Sequence, residues 1–165
     1  MTIVPDPRVL LIVYSYHHNN TLAVARNISA ILNAEIKTPQ EIEPDSLSDY
    51  DLIGFGSGIY SAKHHDTLLS LADTLPPVSQ KPAFLFSTAA LTGESKTRND
   101  HRHLREKLEY KGYSIIGEFS CKGFNTNSFL KFFGGMNRGR PNDQDLKNAD
   151  EFADQIKEKY KTYSL

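Results

Sequence analysis

Val9-Leu-Leu-Ile-Val-Tyr14, followed by Ser15-Tyr-His-His-Asn-Asn-Thr21, is the stretch on which the reading of this chain turns. An unbroken apolar run that is short and bounded by polar residues reads as a strand buried on both faces, the kind that parallel sheets produce. Beyond the polar segment, Leu22, Val24, Ala25, Ile28, Ile31 and Leu32 recur at helical spacing, with Thr21 near the helix N-terminus. The order is strand, polar loop, helix.

The same unit recurs along the chain. A brief strand is predicted at Ala34 to Lys37, a helical turn around Pro44 to Ser48, and a buried strand at Asp51-Leu-Ile-Gly-Phe-Gly56. A helix at His65 to Leu75 precedes a strand at Ala83-Phe-Leu-Phe86, just beyond Pro82, and a helix at Arg98 to Lys111 ends at Gly112. A strand at Ser114 to Ser120 and a helix from Asp143 to Tyr160, capped by Asn142 or Asp143, complete the series. Five strands alternating with helices imply a parallel sheet, right-handed crossovers and helices on both faces, in one domain spanning residues 1–165. In such a sheet a ligand lies beyond the C-terminal strand ends, so function is expected in the loops after the first, third and fourth strands.

Composition narrows the partners. Nineteen Lys and Arg against twenty Asp and Glu leave a formal charge of −1, which gives no field for drawing in nucleic acid. No apolar run approaches the roughly 20 residues of a bilayer span, and Met1 to Arg8 lacks a signal-peptide pattern, so the expected location is the cytoplasm. A single cysteine, Cys121, makes no internal disulfide and supplies too few thiolates for a structural zinc or iron–sulfur site. A redox role therefore needs a bound cofactor.

Ser15 to Thr21 places backbone N–H groups and a helix N-terminus where an anion is stabilised. It lacks the glycines and the lysine of the nucleotide loop G-x-x-x-x-G-K-[ST], and it is not G-x-G-x-x-G, which argues against ATP and NAD. The segment resembles the flavodoxin phosphate loop, Ser/Thr-x-Thr-Gly-x-Thr before the first helix. Thr21 matches the final hydroxyl, and Asn19 stands at the glycine position, where Asn tolerates a left-handed turn. Tyr16 and His18 replace two hydroxyl residues, for which Ser15 or a histidine N–H would compensate. Two further stretches carry the resemblance. Gly54-Phe-Gly-Ser-Gly-Ile-Tyr60 is similar to the flavodoxin Gly-Ser-Pro-x-Tyr loop, and Gly56 to His65 also resembles the branch containing quinone-linked protoporphyrinogen oxidases. Ser87-Thr-Ala-Ala-Leu-Thr-Gly93 offers small and hydroxyl residues for a flavin's polar edge.

The resemblance implies a flavodoxin-like three-layer αβα sandwich with strand order 2-1-3-4-5, binding FMN. The implied phosphate contacts are Ser15, His17, His18, Asn19, Asn20 and Thr21. Those to the ring are Ser57, Gly58, Ile59 and Tyr60, with Thr88, Ala89, Ala90, Leu91, Thr92 and Gly93 on the other side. Leu91 stands where many flavodoxins carry a second stacking ring.

Other residues read more plainly. The six histidines show no zinc signature, and solvent exposure, or contact of His18 with phosphate, is expected of them. Cys121 reads as a small core residue. Lys122 to Pro141, with Phe124, Phe129, Phe132 and Phe133, reads as a lid, an interface or core covering, and Arg138 and Arg140 read as solvated. The functions that follow are an electron carrier first, an FMN-dependent oxidoreductase acting on quinone or protoporphyrinogen second, and a flavin-free interaction module third. The expected partners are a redox protein or a small quinone-like substrate, with a homodimer also open.

Overall fold

The computed structural model describes residues 3–16, 18–124 and 134–165. Its strands are Val9–Tyr14 (β1), Glu35–Lys37 (β2), Leu52–Tyr60 (β3), Lys63–His64 (β4), Lys81–Ala89 (β5) and Tyr113–Lys122 (β6). β1, β2, β3, β5 and β6 pair in parallel in the order β2-β1-β3-β5-β6, which is the expected 2-1-3-4-5 arrangement. The addition is β4, which folds back antiparallel on the end of β3 with His64 opposite Ile59.

The helices are Asn20–Leu32 (α1), Asp66–Thr74 (α2), Glu94–Asp100 (α3), Arg102–Tyr110 (α4) and Asp143–Tyr163 (α5). Alternate residues of each strand face opposite sides, so a strand covered on both reads as a continuous apolar run. Leu11, Val13, Phe84 and Phe86 meet Val24, Ala25 and Ile28 of α1 and Ala149, Phe152 and Ile156 of α5. Leu10, Ile12, Phe55 and Leu85 meet Leu68 and Ala72 of α2 and Leu104 and Leu108 of α4. Each fully buried leucine contributes about 1.5–3 kcal/mol of transfer free energy.

β3 and β5 outrun their predicted ends. The Gly54 to Tyr60 stretch, expected as a loop beyond Gly56, continues β3, and Ser87, Thr88 and Ala89 belong to β5. The cause lies across the sheet. A Cβ on Gly54 would stand 2.5 Å from the Phe84 ring, and one on Gly56 would stand 2.2 Å from the Phe86 ring. These glycines leave room for large neighbours, so a composition that reads as a loop is here a strand. The helix expected over Arg98 to Lys111 is two helices meeting at His101, whose ring is fully buried. At α5 the cap is Asn142: its side chain accepts from Asp145 N–H at 2.9 Å, and the Asp145 carboxylate accepts from Asn142 N–H at 2.8 Å.

Ser61 and Ala62 turn β3 into β4 with φ of 50° and 59°. Two successive left-handed residues make the hairpin turn that normally uses Asn-Gly, and an alanine there is strained by about 1–2 kcal/mol. Ala62→Gly is expected to stabilise the protein by about 0.5–1 kcal/mol net of the added freedom of the unfolded chain. Urea unfolding checks this, and a lowered midpoint would show that the turn is not strained.

Candidate functional site

A cleft of about 380 Å³ opens at the C-terminal ends of the strands. Ser15, Tyr16, Asn20 and Thr21 bound it on the α1 side, Gly58, Ile59 and Tyr60 on the β3 side, and Thr88, Ala89, Ala90, Gly123 and Phe124 along the ends of β5 and β6. Nine residues singled out from sequence thus come together: Ser15, Asn20, Thr21, Gly58, Ile59, Tyr60, Thr88, Ala89 and Ala90. His18 and Asn19 form the turn into α1, each with φ of 53°. Leu91 is exposed beyond Ala90, and Thr92 and Gly93 border a neighbouring depression with Arg98 and Glu118. Ser57 is fully buried just before Gly58, and His17 lies outside the described residues.

Tyr16, Gly123 and Phe124 line the cleft without having been singled out for it. A glycine directly after a strand was the available signal for Gly123. A Cβ there would fall 2.7 Å from the Asn20 amide and 3.1 Å from Thr88 Cβ, so this glycine lets the end of β6 close against α1 and β5.

At the α1 end the first helical N–H groups have no partner inside the helix, and no acidic residue occupies its first turn. Leu22 N–H donates to Ser15 Oγ at 3.3 Å, the Asn20 amide donates to the Phe124 carbonyl at 2.8 Å, and Thr21 Oγ1 is hydrogen-bonded to Thr88 Oγ1 at 2.9 Å. The His18 ring packs 4.4 Å from that of Phe124. At the β3 end the half-buried Tyr60 meets His65 edge-on, and His65 stacks on Tyr14 with centroids 4.0 Å apart. Burial, with Tyr14 and Tyr16 nearby, raises the Tyr60 hydroxyl above its ordinary range and keeps it protonated.

A polar layer lies next to this cleft. Ser57, Ser87 and Ser120 are register partners on β3, β5 and β6, two residues on from Phe55, Leu85 and Glu118 and so on the α2 and α4 side. Ser57 Oγ is 2.8 Å from His64 Nδ1, and Ser87 Oγ is 2.8 Å from His101 Nε2 and donates to Ser120 Oγ at 2.9 Å. The two imidazoles lie 4.7 Å apart, both fully buried. The expected solvent exposure is thus wrong for His64 and His101. Buried hydroxyls require partners, and the β3–β4 hairpin and the α3–α4 junction each deliver an imidazole to one serine. Burial, reinforced by His101, pushes His64 well below its usual value and leaves it neutral at pH 7. Burial alone would raise the Glu118 carboxyl, but His101 and Arg105, the latter at 2.6 Å, hold it below its ordinary value.

Cys121 is buried in the core, as expected, with its thiol pushed up to about 12 by burial. Arg140 is not simply solvated: its guanidinium is paired with the Asp145 carboxylate, Nη2 to Oδ1 at 2.7 Å, so its charge is engaged within the fold. In the described part of the long connection, the Asn137 amide donates to the Ala90 carbonyl at 2.7 Å, and Phe124 N–H donates to the Arg140 carbonyl at 2.9 Å. That part therefore covers the ends of β5 and β6, whereas Phe129, Phe132 and Phe133 lie outside the described residues. Among the described residues no helix is long and apolar enough to cross a membrane.

Comparison with known proteins bears on this arrangement. The family model described as a flavodoxin domain matches residues 11–135. An uncharacterised protein of Methanocaldococcus jannaschii is 44% identical over 149 residues, covering 90% of this chain and 97% of that one. Oxidised flavodoxin 2 from Bacillus cereus superposes with a TM-score of 0.68 at 14% identity, over 92% of this chain and 99% of that one. A Fusobacterium nucleatum flavodoxin bound to flavin mononucleotide superposes with a TM-score of 0.63 at 12% identity, over 92% and 98%. With a strand order, a cleft position and a family match that agree, the chain belongs to the flavodoxin domain family.

Proposed function

We propose that this protein binds FMN in the cleft at the strand ends and serves in electron transfer. The observation that carries the reading is the pairing, in one cleft, of a helix N-terminus free of acidic residues with a shelf of glycine, tyrosine and small hydroxyl residues on β3 and β5. A phosphate suits the first and a planar ring the second. The bare Cα of Gly123 keeps the seam between α1, β5 and β6 tight enough to hold Asn20 in place.

Ser15, His18, Asn19, Asn20 and Thr21 hold the phosphate, together with the first-turn N–H groups of α1. Gly58, Ile59 and Tyr60 shape one side of the ring pocket, supported by Ser57 from below. Thr88, Ala89 and Ala90 present a polar edge, continued by Leu91, Thr92 and Gly93. The Thr21–Thr88 hydrogen bond locks the two halves together, so phosphate end and ring end keep a fixed spacing. When bound, FMN supplies the redox chemistry by taking up and giving back electrons. Exchange with a redox protein would take place at the cleft mouth, where Tyr16 and Leu91 are exposed. A second reading, an oxidoreductase acting on a small quinone-like substrate, is favoured by the charge of −1, which provides no strongly acidic surface for a basic partner protein.

Calorimetry with FMN, riboflavin and FAD tests the proposal. A stoichiometric FMN complex at least tenfold tighter than that of riboflavin is expected, since a hydrogen bond to a charged group is worth about 1.5–3 kcal/mol. Equal affinities would remove the phosphate assignment, and absence of any flavin complex would leave the flavin-free module.

A further inference from the structure

β3 carries Tyr60 to the cleft wall, where its half-buried ring rests over bare backbone: a Cβ on Gly58 would stand 3.2 Å from Tyr60 Cε2 and 3.2 Å from its hydroxyl oxygen. A tyrosine at the end of a strand has two side-chain torsions to fix. His65 supplies a further contact, meeting the Tyr60 ring at 82° with centroids 5.1 Å apart, a favourable edge-to-face arrangement.

His65 is itself held from several directions. Its ring stacks on Tyr14 at 19° with centroids 4.0 Å apart, and its Nδ1 accepts from Thr67 N–H at 3.1 Å, capping α2. Its own N–H donates to Ser57 Oγ at 3.1 Å, and its carbonyl accepts from Leu68 N–H at 3.0 Å. The cap bond requires an unprotonated Nδ1, which puts the proton of the neutral ring on Nε2. Ser, Asp or Asn would serve Thr67 at least as well, since these are the preferred N-caps. What histidine adds is a flat ring that can cap a helix and meet two tyrosines at once.

We propose that His65 is a positioning residue that fixes the tilt of the Tyr60 ring in the cleft wall, with the Tyr14 stack and the α2 cap as its own supports. For flavin the consequence rests on the FMN reading above. A ring already ordered need not be ordered on binding, so the cleft takes up a planar ligand without the entropy loss of one more side chain. The effect belongs to the ring end of the cleft. Riboflavin and FMN share that end, and the phosphate loop lies on the α1 side, so His65 affects both ligands alike.

Two substitutions divide the histidine into its parts. His65→Asn keeps a capping side chain and removes the ring, whereas His65→Phe keeps a ring and removes the cap. In the unliganded protein, nuclear Overhauser contacts between the Tyr60 ring and the Gly58 α-hydrogens are expected in wild type and in His65→Phe, and are expected to weaken in His65→Asn. His65→Asn is expected to bind FMN and riboflavin each about fivefold more weakly, with the ratio of the two unchanged and a melting midpoint near that of wild type. His65→Phe is expected to keep wild-type flavin affinity and to melt about 3 °C lower. Undiminished Tyr60–Gly58 contacts or wild-type flavin affinity in His65→Asn, weakening of FMN without riboflavin, or equal weakening by both substitutions would each overturn the assignment. Should the wild-type protein bind no flavin, the functional proposal falls, while the Tyr60–Gly58 contacts still decide whether His65 positions the ring.

Discussion

Replacement of Gly112 by alanine is expected to destabilise the fold by about 4 kcal/mol, combining overpacking with the strain of an unfavourable backbone conformation. Gly112 has φ of 100°, and a Cβ on it would lie 1.8 Å from the Val78 carbonyl oxygen. The obstacle is backbone and cannot swing aside. It is also pinned, because Val78 N–H donates to the Lys111 carbonyl at 2.7 Å and Lys81 N–H donates to the Gly112 carbonyl at 3.2 Å. These bonds hold the starts of β5 and β6 in register, with Lys81 opposite Tyr113. Thermal unfolding followed by circular dichroism should show a fall of roughly 10 °C, and a midpoint within about 2 °C of wild type would mean that the turn accommodates a side chain.

Gly123→Val is expected to lower FMN affinity about a hundredfold, equivalent to about 2.7 kcal/mol. The first added carbon already occupies the place of the Asn20 amide, which would lose its bond to the Phe124 carbonyl, and the branched methyls press on Thr88. Since Thr88 holds Thr21, the disturbance reaches the start of α1 as well as the end of β5. Flavin fluorescence titration alongside a melting curve separates lost binding from lost folding. A folded Gly123→Val protein with wild-type affinity would place the FMN site elsewhere.

Much of this architecture is legible in the sequence because burial on both faces leaves a direct trace. Val9–Tyr14 is a strand at its predicted boundaries, since each of its residues from Val9 to Val13 is covered whichever way it faces. The left-handed turn at Asn19 was legible too, because few residues other than glycine suit that conformation. Other features depend on what lies across the sheet. Gly54 and Gly56 look like loop residues until Phe84 and Phe86 stand beside them. Neighbours in sequence, His64 and His65 look like surface histidines, yet the hairpin sends one to Ser57 in the core and the other to Tyr14 and Tyr60 near the cleft. Nothing local to His101 announces that it meets His64, 37 positions earlier in the chain. The cleft residues Tyr16 and Phe124 escape notice for the same reason, as only the closed ends of β1 and β6 bring them together.

The sheet also divides the interior in two. Among the described residues, the apolar cluster on the α1 and α5 side shares no residue with the one on the α2 and α4 side. The α1 end of the cleft rests on the first and the hairpin of β3 and β4 on the second, joined at the cleft by the Thr21–Thr88 bond. The cleft thus stands on two separate mountings. On the FMN reading proposed above, changes in one core would retune the grip on a phosphate, and changes in the other the setting of a ring, so that affinity and redox behaviour would be adjustable by largely independent routes of descent.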